Sequence, residues 1–481
     1  LNKFLNKKGA QQAPNLGNPV YEFMSKAGNF ADTLAYESKP TNQIDQFFLA
    51  FQYNPEMAIR ALMWTRDPRG GAGQRRLFRK LLKCADSTGL FNQWIDSNVD
   101  KIVEYGRWDD VLELFGTTVE QKALSLIADA LNRQDRLACK WMPRPNRSVS
   151  RKTSYKSFPI KEFMGLTNKQ YRQLLVKGTD VVETQMSENH WDDIELNGLP
   201  GMSMLRHSKA FEKHIPEKWN AFVESKSTKV KATAVYPHEI MRMMKAQVDD
   251  QMLEKTWSDM LDKNLLSSFR ILPVIDQSGS MYFSDVGSLN LGEIAATMGM
   301  YVSDLLPGRL HRRYVTFSAR PKVMHWEDHT IPQALNLIHS NNALNTNVEA
   351  VFDTLLDYAD TFNVTPDQMP QAIMIISDMQ FDANNHGQIA TPSQTVIEKA
   401  LRKWDKTSYQ RPALIFWNLA GYAGQPVEGY ENTAFISGFS PSILVHLFAS
   451  MSTDADGRLY IDYERLVELA LAKYDVTAPT A

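Results

Sequence analysis

Asp276-Gln277-Ser278-Gly279-Ser280 places three oxygen side chains at alternate positions, directly after an apolar run from Phe269 to Ile275. Alternate residues of a loop share a side, so Asp276, Ser278 and Ser280 can aim at one point, with Gly279 allowing a tight turn between them. Carboxylate and hydroxyl donors without His or Cys suit a hard divalent cation, Mg²⁺ first with Mn²⁺ or Ca²⁺ as alternatives, rather than zinc. A serine-rich turn that satisfies its own backbone would share this composition. Two later segments bear on this. Asn345-Thr346-Asn347-Val348-Glu349 opens a helical pattern, and Gln371 to Ser377 is a second apolar run that ends in a carboxylate, Asp378. Asp276 and Asp378 would roughly balance a divalent charge. One coordination position would stay open to an outside carboxylate or phosphate.

For these residues to meet, their segments must be neighbouring strands. Strand patterns occur at Ile271–Asp276, Arg312–Ser318, Ala372–Asp378 and Ala413–Leu419, with a weaker one at Thr433–Ile436. Helical patterns lie between them at Ser288–Leu306, Val348–Phe362, Ser393–Trp404 and Pro441–Ser450. This alternation predicts a doubly wound α/β domain over 269–481, with ligands bound beyond the carboxyl ends of its strands. From 42 to 268 the periodicity is helical, as in Ile59, Leu62, Met63 and Leu77, Leu81, Leu82. The expectation there is an all-α module of stacked helical pairs, HEAT-like, though no fixed repeat period is present. Residues 1–41, rich in Asn, Gln, Gly and Pro, read as an extended arm, and 144–161 as a loop.

The chain has 481 residues, 43% of them hydrophobic and 22% charged, which is ordinary for a soluble globular protein with ample core. No apolar stretch is long enough to span a membrane, since even Leu289–Leu306 carries Glu293 and Asp304. The first residues are too polar for a signal peptide. Two cysteines, Cys84 and Cys139, form neither a disulfide framework nor a metal spacing, which points to a reducing, cytoplasmic location.

The net charge of −2 conceals two opposed halves. Residues 1–270 hold 40 Lys and Arg against 32 Asp and Glu, and residues 271–481 hold 13 against 23. One basic cluster comprises Arg60, Arg66, Arg69, Arg75, Arg76, Arg79, Lys80 and Lys83, with only Asp67 among them. A second runs from Arg133 to Lys177 with twelve cations, Lys140, Arg144, Arg147, Arg151, Lys152, Lys156 and Arg172 among them, and only Asp135 and Glu162 as acids. One such run is often just a solvated face. Two in one module, with Tyr155, Phe158 and several Ser and Asn interspersed, point to a polyanion surface. No modular sequence reader is present, so shape and single-stranded ends are the expected features recognised.

Catalytic signals are thin. Arg69-Gly-Gly-Ala-Gly73 lacks the Gly-Lys-Ser/Thr of a P-loop, and His325 and His329 lack the order of a zinc-protease helix. Metal-assisted hydrolysis would need a positioned base, and neither Asp285, Asp382 nor His386 has a spacing that specifies one. Trp64, Trp108, Trp141 and Trp191 read as helix-packing residues.

The Asp-x-Ser-x-Ser loop with Thr346 and Asp378 resembles the metal-ion-dependent adhesion site of von Willebrand A domains. A basic helical module joined to such a domain resembles the layout of the Ro autoantigen family, whose helical part is the TROVE module. The wording is most similar to a Ro-like branch of plants, viruses and phages. It is carried by Arg66-Asp-Pro-Arg-Gly-Gly-Ala-Gly-Gln-Arg75, Tyr105-Gly-Arg-Trp-Asp-Asp-Val-Leu112, Lys140-Trp-Met-Pro143 and Tyr236-Pro-His-Glu239. Ile376-Ser-Asp-Met-Gln-Phe-Asp382 and Gly438-Phe-Ser-Pro441 add to it. The resemblance implies a ring of helical repeats that holds small noncoding or misfolded RNA and takes single-stranded ends into its centre. It also implies a divalent ion on Asp276, Ser278, Ser280, Thr346 and Asp378.

The expected function is therefore a non-enzymatic RNA-binding protein. Its alternative is a scaffold, viral or phage in setting, whose ion grips an acidic residue of a protein partner.

Overall fold

A computed structural model describes residues 18–27, 41–145, 156–262, 269–282, 285–318, 320–340, 347–379, 394–420, 432–455 and 458–480. Helices fill the first half. They are short, from six residues at Arg136–Trp141 to fourteen at Gly201–His214, and consecutive ones pack on each other. Side-chain caps set many of their starts. Asn54 accepts from the Met57 amide at 3.1 Å, and Thr167 and Gln170 form a reciprocal capping box. The expected extended arm is partly a helix: Pro19–Ala27 buries Val20, Phe23 and Met24 against Thr41–Tyr53. Ser157–Phe163, expected within a loop, is also helical.

The second half is built on a six-stranded sheet. Its strands are β1 Ile271–Asp276, β2 Arg313–Phe317, β3 Val323–His325, β4 Ala372–Ser377, β5 Ala413–Asn418 and β6 Thr433–Ser437. Their order is β3-β2-β1-β4-β5-β6, parallel except for the short edge strand β3, which runs antiparallel to β2. Every residue of β1 and of β4 is buried, as expected of strands covered on both faces.

The helix Leu291–Leu305 is buried along its whole length. One side packs on β1, where Gly299 allows close approach: a Cβ there would lie 2.4 Å from Ile275. Its other side meets the helical module through Pro237–Lys245. Polar contacts tie the halves together around this helix. Trp257 Nε1 donates to Asp304 Oδ2 at 2.8 Å, Lys245 lies 2.5 Å from Glu293, and the Ile331 amide donates to Glu254.

After the last helix, Tyr463–Leu471, the chain returns to the helical module. Tyr474, fully buried, donates from its hydroxyl to Asp67 at 3.0 Å and sets its ring against Tyr105. Lys473 pairs with the same Asp67. Asn98 and Thr477 exchange two hydrogen bonds, at 2.8 and 2.7 Å. The Arg66–Arg75 segment is therefore a docking loop. Its Gly71 carbonyl also accepts from Ser442, on the helix Ser442–Ala449 of the α/β half.

Candidate functional site

β1 and β4 are adjacent, with Ile275 opposite Ile376, although the chain visits β2 and β3 between them. The order of strands reverses at this pair, and in an open α/β sheet that is where a crevice forms beyond the carboxyl ends. Asp276 is the last residue of β1, and Asp378 follows the last residue of β4. The structure thus brings both predicted carboxylates to the switch point.

The loop has the alternation that its spacing predicts. The Ser278 amide donates to Asp276 Oδ1 at 2.8 Å, and the Ser278 and Ser280 hydroxyls lie 3.2 Å apart. Gln277 turns the other way. Its Nε2 donates to the Gly292 carbonyl at 2.9 Å, and its Oε1 accepts from Tyr282. The loop is thereby fastened to the start of Leu291–Leu305, which Asn290 and Glu293 cap reciprocally.

Ser377 is not singled out by the sequence, yet it fixes the Asp276 carboxylate. Its hydroxyl donates to Asp276 Oδ2 at 2.6 Å and accepts from the Met379 amide at 3.0 Å. A serine just before Asp378 was the available signal. Met379 has φ of 62°, a left-handed backbone that a long side chain seldom adopts, directly after a candidate ligand.

Asp276 and Asp378 are fully buried and Ser278 nearly so. Burial pushes the Asp276 carboxyl well above the usual carboxylate range, and the neighbouring Asp378 charge pushes it further, against the pull of Ser377 and Ser278. Two carboxyl groups brought together out of water are a poor arrangement by themselves and a good one around a cation. The donor chemistry fits a hard divalent ion: carboxylates and hydroxyls only. Among the described residues no three His, Cys, Asp or Glu side chains converge as a metal cluster, and here two carboxylates meet with hydroxyls as the other donors. Thr346 lies outside the described residues; the helix that the sequence pattern predicts after it is present, Val348–Thr361, with Asn347 as its cap.

The basic clusters behave differently from each other. In the first, Arg66 is buried and its Nε lies 2.6 Å from Asp110. Arg79 meets Asp110 at 2.6 Å and Asp109 at 2.8 Å, Arg75 meets Asp109 at 3.3 Å, and Lys83 meets Glu113 at 3.2 Å. The acids come from Trp108–Leu114, a 3₁₀ segment that follows the cations later in the chain, Asp110 lying 44 positions after Arg66 and 31 after Arg79. Burial raises the Asp109 carboxyl, but Arg107 and Arg79 outweigh it and hold the group below its ordinary value. Arg75 is lowered by burial first and then by Arg79 and Arg107. Much of the charge counted in this cluster is therefore neutralised inside the protein. Arg69 and Arg76 stay exposed.

In the second cluster, Lys140 pairs with Glu183, Lys156 with Glu113, and Arg144 and Arg172 bond to Thr179 and the Pro145 carbonyl. Arg147, Arg151 and Lys152 lie outside the described residues. Arg133, Arg136, Lys169 and Lys177 are exposed, and among the described residues no carboxylate pairs with them. Trp64 and Trp108 are core residues as expected. Trp141 and Trp191 are half-buried and pack against the same core; Trp141 also carries the Arg107 guanidinium over its ring at 3.7 Å, and Trp191 stacks on His214 at 4.1 Å.

Tyr236-Pro237-His238-Glu239 lies where the helical module meets the end of β6. His238 is buried between Tyr236 and Phe439, with ring centroids at 5.7 and 5.3 Å. Burial, with help from Arg242, pushes its imidazole down to about 3, so it is neutral. Tyr236 brings its hydroxyl against Gly73, whose φ of 67° and absent Cβ make room for it.

Residues 270–468 match a family described as Domain of unknown function (DUF7788), and residues 160–267 match one described as Domain of unknown function (DUF2828). The two matches meet near the boundary between helices and sheet. A protein of Acanthamoeba polyphaga mimivirus, Uncharacterized protein L728, is 23% identical over 474 residues, covering 86% of this chain and 80% of that protein. A relationship to viral proteins is thus plausible on sequence. Among the described residues no helix is long and apolar enough to cross a membrane.

Proposed function

We propose that this chain is a non-enzymatic, Ro-like RNA-binding protein. Its helical module carries structured or misfolded RNA, and its α/β domain is of the von Willebrand A kind, with a divalent ion at Asp276, Ser278, Ser280, Thr346 and Asp378. The observation that carries the RNA reading is the set of exposed cations Arg133, Arg136, Lys169 and Lys177, with which no carboxylate pairs among the described residues, in a module where several other cations are internally paired. Charge left unpaired on a folded surface is available to phosphates. The domain reading is supported by the strand order with its antiparallel edge and by two carboxylates meeting at the switch point. Mg²⁺ bound there would offset the repulsion between the carboxyl groups, while Ser278, Ser280 and Thr346 would orient around it.

The alternative, an ion that grips an acidic residue of another protein, needs the loop to open, because Asp276 and Asp378 are both fully buried. The deciding experiment is a filter-binding titration with structured and unstructured RNA at rising salt. Affinity falling steeply with salt supports the proposal; no binding even at low salt ends it. Pull-downs that depend on Asp276 and on divalent ion would favour the alternative.

A further inference from the structure

At the opposite end of the sheet from Asp276 and Asp378, beside the amino ends of β5 and β6, lies a half-open cavity of about 320 Å³. Asn432 forms one wall. Its carbonyl accepts from the Leu414 amide at 3.0 Å, and its φ of 65° is a left-handed backbone that Asn tolerates better than most residues. The other wall is an antiparallel hairpin, β7 Met451–Thr453 and β8 Leu459–Ile461, which sets Tyr460 opposite Ser452. Asp454 and Arg458 close the hairpin. The Asp454 amide donates to the Arg458 carbonyl at 3.0 Å, and the Arg458 amide donates to Asp454 Oδ1 at 2.8 Å.

Two of the lining residues carry a buried polar atom with no hydrogen-bond partner among the described residues: Arg458 Nε, a donor, and Asn432 Oδ1, an acceptor. Thr433 Oγ1, next along the chain from Asn432, is a third such atom. Unmet buried groups cost stability, and a bound molecule that meets them removes the cost. That molecule must both accept and donate. Charge narrows the choice further. Asp405 is held below the ordinary carboxylate range first by Arg411, whose Nε donates to it at 2.5 Å, and in part by Arg458. With Asp454 also lining the cavity, the Arg458 guanidinium is already balanced, and a net anion gains little there. Tyr460, 55% exposed, adds an aromatic ring at the rim.

We propose that this cavity binds a neutral sugar, as a free pyranose or as the end of a glycan. Arg458 Nε donates to one hydroxyl, Asn432 Oδ1 accepts from its neighbour, and Tyr460 lies against the apolar face of the sugar ring. Each sugar hydroxyl both donates and accepts, so adjacent hydroxyls match a mixed set that a phosphate, rich in acceptors, does not. A tyrosine ring offers flat apolar surface while its own hydroxyl stays in water. The volume falls at the lower end of the roughly 300–1,000 Å³ usual for small-molecule sites. A nucleobase would want a second flat wall, and among the described residues Leu459 is the one other apolar side chain of the lining. None of these residues belongs to the helical module, so the inference stands apart from the RNA reading.

The test screens the full chain by saturation-transfer NMR against free methyl glycosides of glucose, galactose, mannose and N-acetylglucosamine, and against an array of immobilised glycans. Binding of a free glycoside supports a small-sugar site; binding on the array alone supports a glycan end. Arg458→Met, which keeps the aliphatic stem, should weaken that binding about tenfold or more. Tyr460→Ser, at an exposed position, should weaken it as well. Melting curves show whether each variant folds, and should Arg458→Met fail to, Tyr460→Ser decides alone. Inorganic phosphate is the competing probe: Arg458-dependent binding of phosphate with no binding of sugar would make the ligand an anion and overturn the assignment. No sugar bound in either format, or binding that both variants leave intact, ends the proposal and makes the cavity a water-filled recess.

Discussion

The Arg66 Nε and Asp110 Oδ2 atoms, from residues 44 positions apart, form a buried ion pair at 2.6 Å, and Arg79 completes it from the other oxygen. Removing one member of such a set leaves the other charged and unsolvated. Asp110→Ala should therefore cost about 3–5 kcal/mol in urea unfolding. The double change Arg66→Met with Asp110→Leu should recover much of that loss. Equal stability of wild type and Asp110→Ala would show that the pair has no structural role.

The metal proposal predicts a thermal shift with a defined genotype. Mg²⁺ should raise the melting temperature of wild type and leave Asp378→Asn unmoved, with a gain of about 2.7 kcal/mol at a hundredfold excess over Kd. Without the ion, Asp276→Asn should be more stable than wild type near neutral pH. The reason is linkage. A carboxyl raised in the folded state holds its proton after the unfolded chain has lost it, so stability falls as pH rises above the ordinary carboxylate range. A chelator-treated wild type that gains stability on alkalinisation would contradict this.

His238 gives the opposite slope. Its imidazole, pushed down to about 3, stays neutral in the fold, while the unfolded chain takes up a proton near 6.5. Stability should fall as pH drops from about 6.5 toward 3, by up to about 1.4 kcal/mol per unit from this group. The difference in pH profile between wild type and His238→Gln isolates it. Parallel profiles would exclude His238 as a contributor.

Tyr474→Ala should destabilise the whole chain by about 3–5 kcal/mol, the usual cost of removing a buried aromatic side chain. Lys473→Ala should add to it by leaving Asp67 with less compensation. A protease digest should then release the C-terminal segment first, whereas wild type should resist.

The α/β half was largely legible because its signal is local. β1 and β4 are continuous apolar runs, and Asp276 and Asp378 punctuate their ends as the sequence suggested. The edge strand Val323–His325 was missed: two half-buried residues and an exposed one carry no period. Pro19–Ala27 was hidden by the Asn, Gly and Pro around it, although Val20, Phe23 and Met24 supply a buried face. The misleading part was charge. Counting cations in a window cannot see that Asp109, Asp110 and Glu113 fold back onto them, because ion pairing depends on tertiary distance and not on neighbours in sequence. Ser377 escaped for a related reason, as its role is to bond across to another strand.

The return of Lys473–Thr477 to Asp67, Tyr105 and Asn98 changes what counts as a domain here. The boundary expected at 268 and 269 is crossed twice, so the sheet is topologically an insert between pieces of the helical module. An insert held at both ends loses less loop entropy on docking than a unit tethered at one. Cutting the chain at the first junction would produce two fragments that each expose an interface, and their recombination in trans would report directly on how strongly the closure is held.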